Sequence, residues 1–287
     1  MIRYDVTEAD LLARIDQEKA DWQTRAKAAT ALYRQVGEYG EPPAPFWGQI
    51  KAVYMRLQKN KCAFCEQKLS VRARDHDVEH FRPKRGVKAW PPPGGPSYGF
   101  PTGQAFPEGY YLLAYHPLNY ATSCSHCNQG LKRSYFPIAG ARLSGQDNPL
   151  DLEPERPLLI YPIGDRDTDP EVLFGFRGTA PGPRNADPNS QENHRAQVTI
   201  DFFDLSDREE LVRERSEVIE HLHSSLVSAD DSTDQPKQRR ARSTVTRMRS
   251  DGNKHANCAR CFIALYHEDP DQAERFANLA TDFLNTL

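Results

Sequence analysis

The chain predicts an α+β fold, a small core of short segments stapled by cysteine pairs and embedded in helices from both ends. Three observations predict it. Apolar residues recur at helical spacing near both ends of the 287 residues. Between about Lys61 and Pro137 that spacing gives way to short segments. The six cysteines fall as three pairs with two residues between, Cys62/Cys65, Cys124/Cys127 and Cys258/Cys261. The composition, 38% hydrophobic and 27% charged, is that of a folded soluble protein with room for one large domain or a small one with extensions. No stretch approaches the roughly 20 apolar residues of a membrane helix. The start, MIRYDVTEADLLARID, mixes acids among its apolar residues, so no secretory signal is expected and the expected compartment is the cytoplasm. A net charge of −3 does not mark the whole chain as a nucleic-acid binder, although an enzyme needs only a local basic surface.

The N-terminal segment, 1–60, reads as helical. Thr7 with Asp10 resembles a capping box, and Leu11, Leu12, Ile15 and Trp22 supply apolar positions. Pro42, Pro43 and Pro45 break the run. Phe46, Ile50, Val53, Tyr54 and Leu57 then form a second helical stripe that delivers the chain to Cys62. Within the core, 61–140, Asp77–Phe81 reads as a short strand and Tyr110–Tyr115 (YYLLAY) as another. The Pro- and Gly-rich stretch 91–109 reads as an inserted surface loop, and Ser125–Ser134 as a short helix. The C-terminal region, 141–287, is expected to be mostly helical, with short strands at Leu158–Tyr161 and Val172–Phe176. A long helix is expected over Asp207–Val227, capped by Ser206 and Glu209 and apolar along Leu211, Val212, Val218, Ile219, Leu222 and Leu226. A polar, mobile linker follows near 228–246, and a last helix pair carries Asp269-Pro270 at its cap and first turn.

Two CxxC knuckles several dozen residues apart suit zinc, which favours four thiolates in a tetrahedron. In a cytosolic chain this spacing points to metal before disulfide. Cys62, Cys65, Cys124 and Cys127 would close the coordination sphere, leaving no position for water or substrate, so this zinc would be structural. The rival reading is that the cysteines simply fill a core. That reading is preferred for Cys258 and Cys261, which share one helical stripe with Phe262 and Leu265 and have no fourth knuckle to complete a site.

Chemistry is expected between the knuckles. Glu79-His80 ends a strand candidate: a carboxylate can hold a hard cation, and a neutral imidazole can take a proton from water near pH 7. Alone, such a dipeptide is usually surface. Its setting is an ordered set: CAFC, VEHFRPK, Asn119, CSHC, then Asn128 and Lys132. That set resembles the HNH, or ββα-metal, nucleases. The resemblance implies His80 as the general base for phosphodiester hydrolysis and Glu79, where many members have Asp, as a ligand of the catalytic metal. It implies Asn128, often His in the family, as the second ligand, and Asn119 as the residue that ties down the loop between strand and helix. The cation implied is Mg²⁺ or Mn²⁺. Arg82, Lys84, Arg85 and Lys132 would contact phosphates or merely be solvated. Two features depart from the family pattern: Lys132 stands four residues after Asn128 rather than three, and the 91–109 insertion is long.

A narrower resemblance spans Lys51 to Ile219, through VEHFRPK, YYLLAY, CSHCN, YFP and PLLIYPIGDRDTDPEVLFGF. These segments are similar to the HNH partner proteins of bacterial anti-phage systems, Septu and its retron-associated relatives. The resemblance implies an effector nuclease acting beside an ABC-type or SMC-like ATPase, on DNA or RNA. The rival class is a zinc-stapled binding or scaffold module that keeps the fold without the chemistry; a second alternative keeps the nuclease and makes RNA its target. His76, His116 and His126 lie near the core without a clear role. The basic run Lys237–Arg249 reads either as a grip on nucleic-acid backbone or as a solvated linker, with the acids Asp230, Asp231 and Asp234 just before it.

Overall fold

The computed structural model describes residues 1–40, 44–70, 76–230 and 234–286. Pro42, Pro43 and Asp231 lie outside the described residues. The chain divides into two compact units, one made of Arg3–Phe64 and Leu69–Asp169, the other of Met1–Ile2, Cys65–Lys68 and Pro170–Leu287. Helices and two small sheets among the described residues make it an α+β protein.

In the unit containing Arg3–Phe64, the expected N-terminal helical run is two helices, α1 (Glu8–Glu18) and α2 (Trp22–Val36). The Thr7 hydroxyl accepts from the Asp10 amide at 3.1 Å, satisfying one of the donors a helix start leaves open. Lys19 is extended and separates the two helices. Gly37, at φ 83°, ends α2 with its N–H on the Tyr33 carbonyl. A 3₁₀ turn (Trp47–Ile50) feeds α3 (Lys51–Leu57). Strand β1 (His76–His80) pairs antiparallel with β2 (Tyr120–Cys124), setting His76 opposite Cys124 and His80 opposite Tyr120. A π-helical turn, His126–Lys132, follows directly.

The strand partner of β1 was expected at Tyr110–Tyr115; it is Tyr120–Cys124. Tyr111–Leu113 forms a 3₁₀ turn instead, with Leu113 N–H on Tyr110 O at 2.9 Å. Leu112, Leu113, Ala114 and Tyr115 are all buried, so the run has no solvent face to impose a strand's alternation. Leu158–Tyr161 is likewise buried but irregular: Leu158 N–H goes to Pro137 O and Tyr161 N–H to the Asp167 carboxylate. The 91–109 stretch carries no helix or ladder strand. It is tethered where Val87 and Phe106 exchange backbone bonds of 2.7 and 2.8 Å, and it ends on Gly109, whose φ is 65° and where a Cβ would lie 2.2 Å from Arg85 O.

The core of this unit gathers α1, α2, α3 and the segment leading into β2 around Trp22. The Trp22 indole donates to Phe46 O at 3.2 Å and meets Phe46, Tyr115 and Tyr120 edge-on at 6.0–6.4 Å.

The other unit contains α4 (Pro170–Leu173), a hairpin of β3 (Phe174–Arg177) and β4 (Ala180–Pro183), and helices α5 (Gln191–Phe202), α6 (Glu209–Asp230), α7 (Gln235–Met248), α8 (Ala256–Glu268) and α9 (Pro270–Asn285). The expected strand over Val172–Phe176 therefore begins as a helical turn, because Pro170 suits a first turn, and pairs only from Phe174. The long helix starts at Glu209, three residues past Ser206, with Arg208 O accepting from Leu211 and Val212; the Ser206–Glu209 capping box is not formed. The linker expected near 228–246 is mostly helix. Helix α6 runs to Asp230, and α7 starts at Gln235 on an Asp234 cap, because Ala241, Val245 and Met248 give it an apolar stripe to bury. Asp269 caps α9 and Pro270 fills its first turn. Cys258 is fully buried on α8 beside Ala259 and Phe262, packed in the core that α6, α8 and α9 share.

Candidate functional site

The cysteine site begins with one amide. Gln58, fully buried just past α3, donates to Lys61 O (2.9 Å) and Thr122 O (2.8 Å), while its own oxygen accepts from Thr122 N–H (2.8 Å). Ala63 N–H also reaches Thr122 O. These bonds lock the Cys62 knuckle to β2, whose end carries Cys124. The sulfurs of Cys62, Cys65, Cys124 and Cys127 lie within 4.8 Å of one another. Tetrahedral zinc with Zn–S near 2.3 Å needs sulfurs roughly 3.8 Å apart, a spacing that lies within this limit. Three of the four are buried, and Cys127 N–H points at Cys124 Sγ at 3.5 Å. The four cysteines could hold a zinc ion.

Beside β1 a cavity of about 400 Å³ is lined by Glu79, His80 and Asn128 together with Asp77, Trp47, Lys51, Lys84, Arg85, Arg133 and Ser134. Strand β1 supplies Glu79 and His80, and the turn after Cys127 supplies Asn128. Adjacent strand residues face opposite ways, but at the end of β1 both reach this cavity. His80 Nε2 lies 3.0 Å from Ala114 O. A carbonyl can only accept, so Nε2 carries the proton and Nδ1 keeps the lone pair. The ring packs edge-on to Trp47 at 5.0 Å and Tyr120 at 5.1 Å. Burial holds the imidazole well below its usual pKa, and the charges of Lys84 and Lys132 push it the same way, so His80 is neutral at pH 7.

Asn119 does not line the cavity. Fully enclosed, it accepts from Arg82 N–H (2.7 Å) and donates to Arg82 O (3.0 Å) and Leu113 O (3.1 Å), while Phe81 N–H reaches its backbone carbonyl. These bonds set how the chain leaves β1 and enters β2.

Part of this chain is similar to a known protein. Over 182 residues it is 28% identical to the Septu protein PtuB of Bacillus mycoides (strain KBAB4), a stretch covering 62% of this chain and 53% of that protein. The chain is PtuB-like over that stretch. It spans about half the length of that relative. No family model and no solved structure matches it.

In this PtuB-like chain two of the four expected phosphate cations are committed inside the protein. Lys132 is fully buried; its Nζ pairs with Glu79 Oε1 at 2.8 Å and donates to His80 O at 3.0 Å. Arg82 is buried in an ion pair with Glu155, its guanidinium over the rings of Tyr110 and Phe136. Lys84 and Arg85 do line the cavity. Burial raises the Glu79 pKa and Lys132 opposes it.

The donors that face the cavity are oxygens, from Glu79, Asp77, Asn128 and Ser134, a set suited to a hard divalent cation. Lys132 holds one Glu79 oxygen. The residues present fit such an ion. Gln58, Trp47 and Lys51 escaped the sequence reading. Trp47 and Lys51 lay unread near the helical stripe that was recognised, whereas Gln58 makes two of its three bonds to Thr122, 64 residues away, and left no local signal.

Proposed function

We propose that this chain is a metal-dependent endonuclease of the HNH, ββα-metal type, the effector of a Septu-like anti-phage defence system. The observation that carries the reading is the convergence of Glu79, His80 and Asn128 on one cavity, with a neutral histidine whose Nδ1 lone pair is unprotonated.

In the proposed reaction, His80 Nδ1 takes the proton from a water as its oxygen attacks a phosphodiester phosphorus. The Ala114 carbonyl keeps Nε2–H in place, so the ring presents the same nitrogen throughout and stabilises the imidazolium it becomes. Trp47 and Tyr120 fix the ring plane, and Lys84 and Arg85 attract the phosphate. Glu79 and Asn128 would hold Mg²⁺ or Mn²⁺, which when bound polarises the phosphate and stabilises the leaving 3′ oxygen. Cys62, Cys65, Cys124 and Cys127 would hold zinc, which takes no part in the chemistry. Asn119 acts by positioning the two strands.

The substrate is DNA or RNA. The partner proposed from the resemblance is an ABC-type or SMC-like ATPase of the same system, and copurification of a chain with nucleotide-binding motifs tests it. The rival reading, a zinc-stapled binding module, draws on the Lys132–Glu79 pair, which satisfies one carboxylate oxygen without a cation.

The deciding experiment is cleavage of plasmid and total RNA with Mg²⁺ or Mn²⁺ by wild type and His80→Ala, with zinc content and circular dichroism matched. Wild-type cleavage that disappears in the folded variant supports the nuclease, and the polymer cut names the substrate. Equal cleavage by both would sink the assigned base.

A further inference from the structure

One dense run of positive charge includes none of the residues of that reading. From Gln235 to Ser250 there is no Asp or Glu, and Lys237, Arg239, Arg240, Arg242, Arg247 and Arg249 are all exposed. None of the six pairs with a described carboxylate. Asp234 is occupied as the cap of α7, and Asp251 is held by Arg260 at 3.0 Å. A chain with a net charge of −3 thus carries, on α7 and its C-cap Arg249, six cations that no described carboxylate pairs with.

The opposite face of α7 is already used. Ala241 and Met248 are buried, and Val245 packs with Met248 against Val218, Ile219, Leu222 and Leu226 of α6. Helical spacing then sorts the cations. Arg242 and Arg249 fall on one flank of that stripe and Arg240 and Arg247 on the other, with Arg239 and the exposed Ser243 and Thr246 on the solvent side. Arg239 to Arg249 spans roughly 15 Å at 1.5 Å per residue, enough to meet more than one phosphate of a strand.

We propose that the exposed face of α7 is a nucleic-acid backbone-binding surface, sequence-blind and separate from the residues assigned to cleavage. Arginines interleaved with hydroxyls are the donors used to hold phosphate oxygens. A membrane surface is disfavoured because it requires a free apolar face, and the apolar face of α7 is packed. A protein partner is disfavoured because the exposed face offers no aromatic or large aliphatic anchor. The inference goes beyond the nuclease reading, since binding here needs neither Glu79 nor His80.

The test measures fluorescence anisotropy of short mixed-sequence duplex DNA, single-stranded DNA and RNA with the full chain carrying His80→Ala, so that cleavage cannot deplete the probe. Against that background stands a variant with Arg239→Gln, Arg240→Gln, Arg242→Gln and Arg247→Gln added. At about 50 mM salt the added changes should weaken binding about tenfold or more, and the slope of log K against log salt should become shallower by about two. Replacing the same arginines with Lys should keep binding near the parent's. That second variant carries the test if the Gln protein misfolds, because the proposal then requires it to bind and to show the parent's salt slope. Binding and slope unchanged in a folded Gln variant would overturn the proposal. So would no binding by the parent at low salt, or displacement of the probe by polyglutamate as effectively as by unlabelled DNA. Failure of wild type to cleave, with binding at α7 intact, would count against the nuclease and leave this surface standing.

Discussion

Gln58 shows how much one side chain can fix. Its amide makes three buried bonds that join the Cys62 knuckle to β2. Gln58→Leu leaves the Thr122 N–H and two carbonyls without those partners, so stability should fall by about 2–3 kcal/mol. A urea midpoint of the metal-loaded protein that does not move would contradict that account. The Glu79-His80 pair was legible because its residue types announce chemistry and its neighbours come in order. Gln58 was not, because a glutamine after a helix is ordinarily solvated and only the folded chain brings Thr122 to it. His116 makes a second residue-scale case. Its Nδ1 accepts from Leu118 N–H at 3.1 Å, and burial pushes its pKa down to about 4, with Arg166 acting the same way and Glu8 and Asp147 opposing. Above about pH 6.5 the ring is neutral in both folded and unfolded chains. Between about 6.5 and 4 the unfolded chain binds a proton that the folded one refuses, so stability falls as pH falls. The loss should be on the order of 2 kcal/mol after allowing for partial exposure, and His116→Gln should remove that part of the pH dependence in denaturant titrations.

At the level of elements, periodicity identified α3, α6 and α8 but missed the polar α7 and read the strands poorly. The stripes of α3, α6 and α8 were visible because each has one wet face to contrast with the buried one. YYLLAY had none, and a uniformly apolar run says only that a segment is buried. Strand β2 went unread because Tyr120–Cys124 mixes Thr122 and Ser123 into a buried ladder, their place set by β1 rather than by their own pattern. The Arg82–Glu155 pair belongs to this scale, since it docks the 3₁₀ turn Pro149–Glu155 against the end of β1. Glu155 also accepts from Tyr110 OH and Leu143 N–H, both at 2.8 Å. Removing one partner of such a pair strands the other charge in the interior, so Glu155→Ala should cost about 3–5 kcal/mol. The change is expected in the unfolding midpoint, with zinc content unaltered in whatever protein remains folded. A surface-like loss below about 1 kcal/mol would mean that Arg82 reaches water, and would reopen its role toward phosphate.

Across the whole molecule, the two compact units each hold an apolar core, one around Trp22 and the other along α6, α8 and α9. The three tryptophans, Trp22, Trp47 and Trp90, all belong to the unit that contains β1 and β2, whereas α5 through α9 belong to the other. Tryptophan emission therefore reports one unit, whereas helical circular dichroism comes from both and mostly from the unit of α5 through α9. A four-cysteine site that joins two knuckles across β2 adds folding free energy only when metal fills it, because four thiolates brought together without a cation repel. Chelation should shift tryptophan emission to the red, as Trp22 loses its enclosure by Phe46, Tyr115 and Tyr120, and should release about one zinc per chain by a colorimetric assay. Much of the helical signal should persist, carried by segments whose core contains none of Cys62, Cys124 or Cys127. Cys127→Ser should reproduce the emission change without chelator, and added zinc should not reverse it. Emission that stays blue after complete metal loss would mean that the aromatic cluster and the Gln58 bonds suffice to hold β1 and β2, reducing the metal to a local clip on the knuckles.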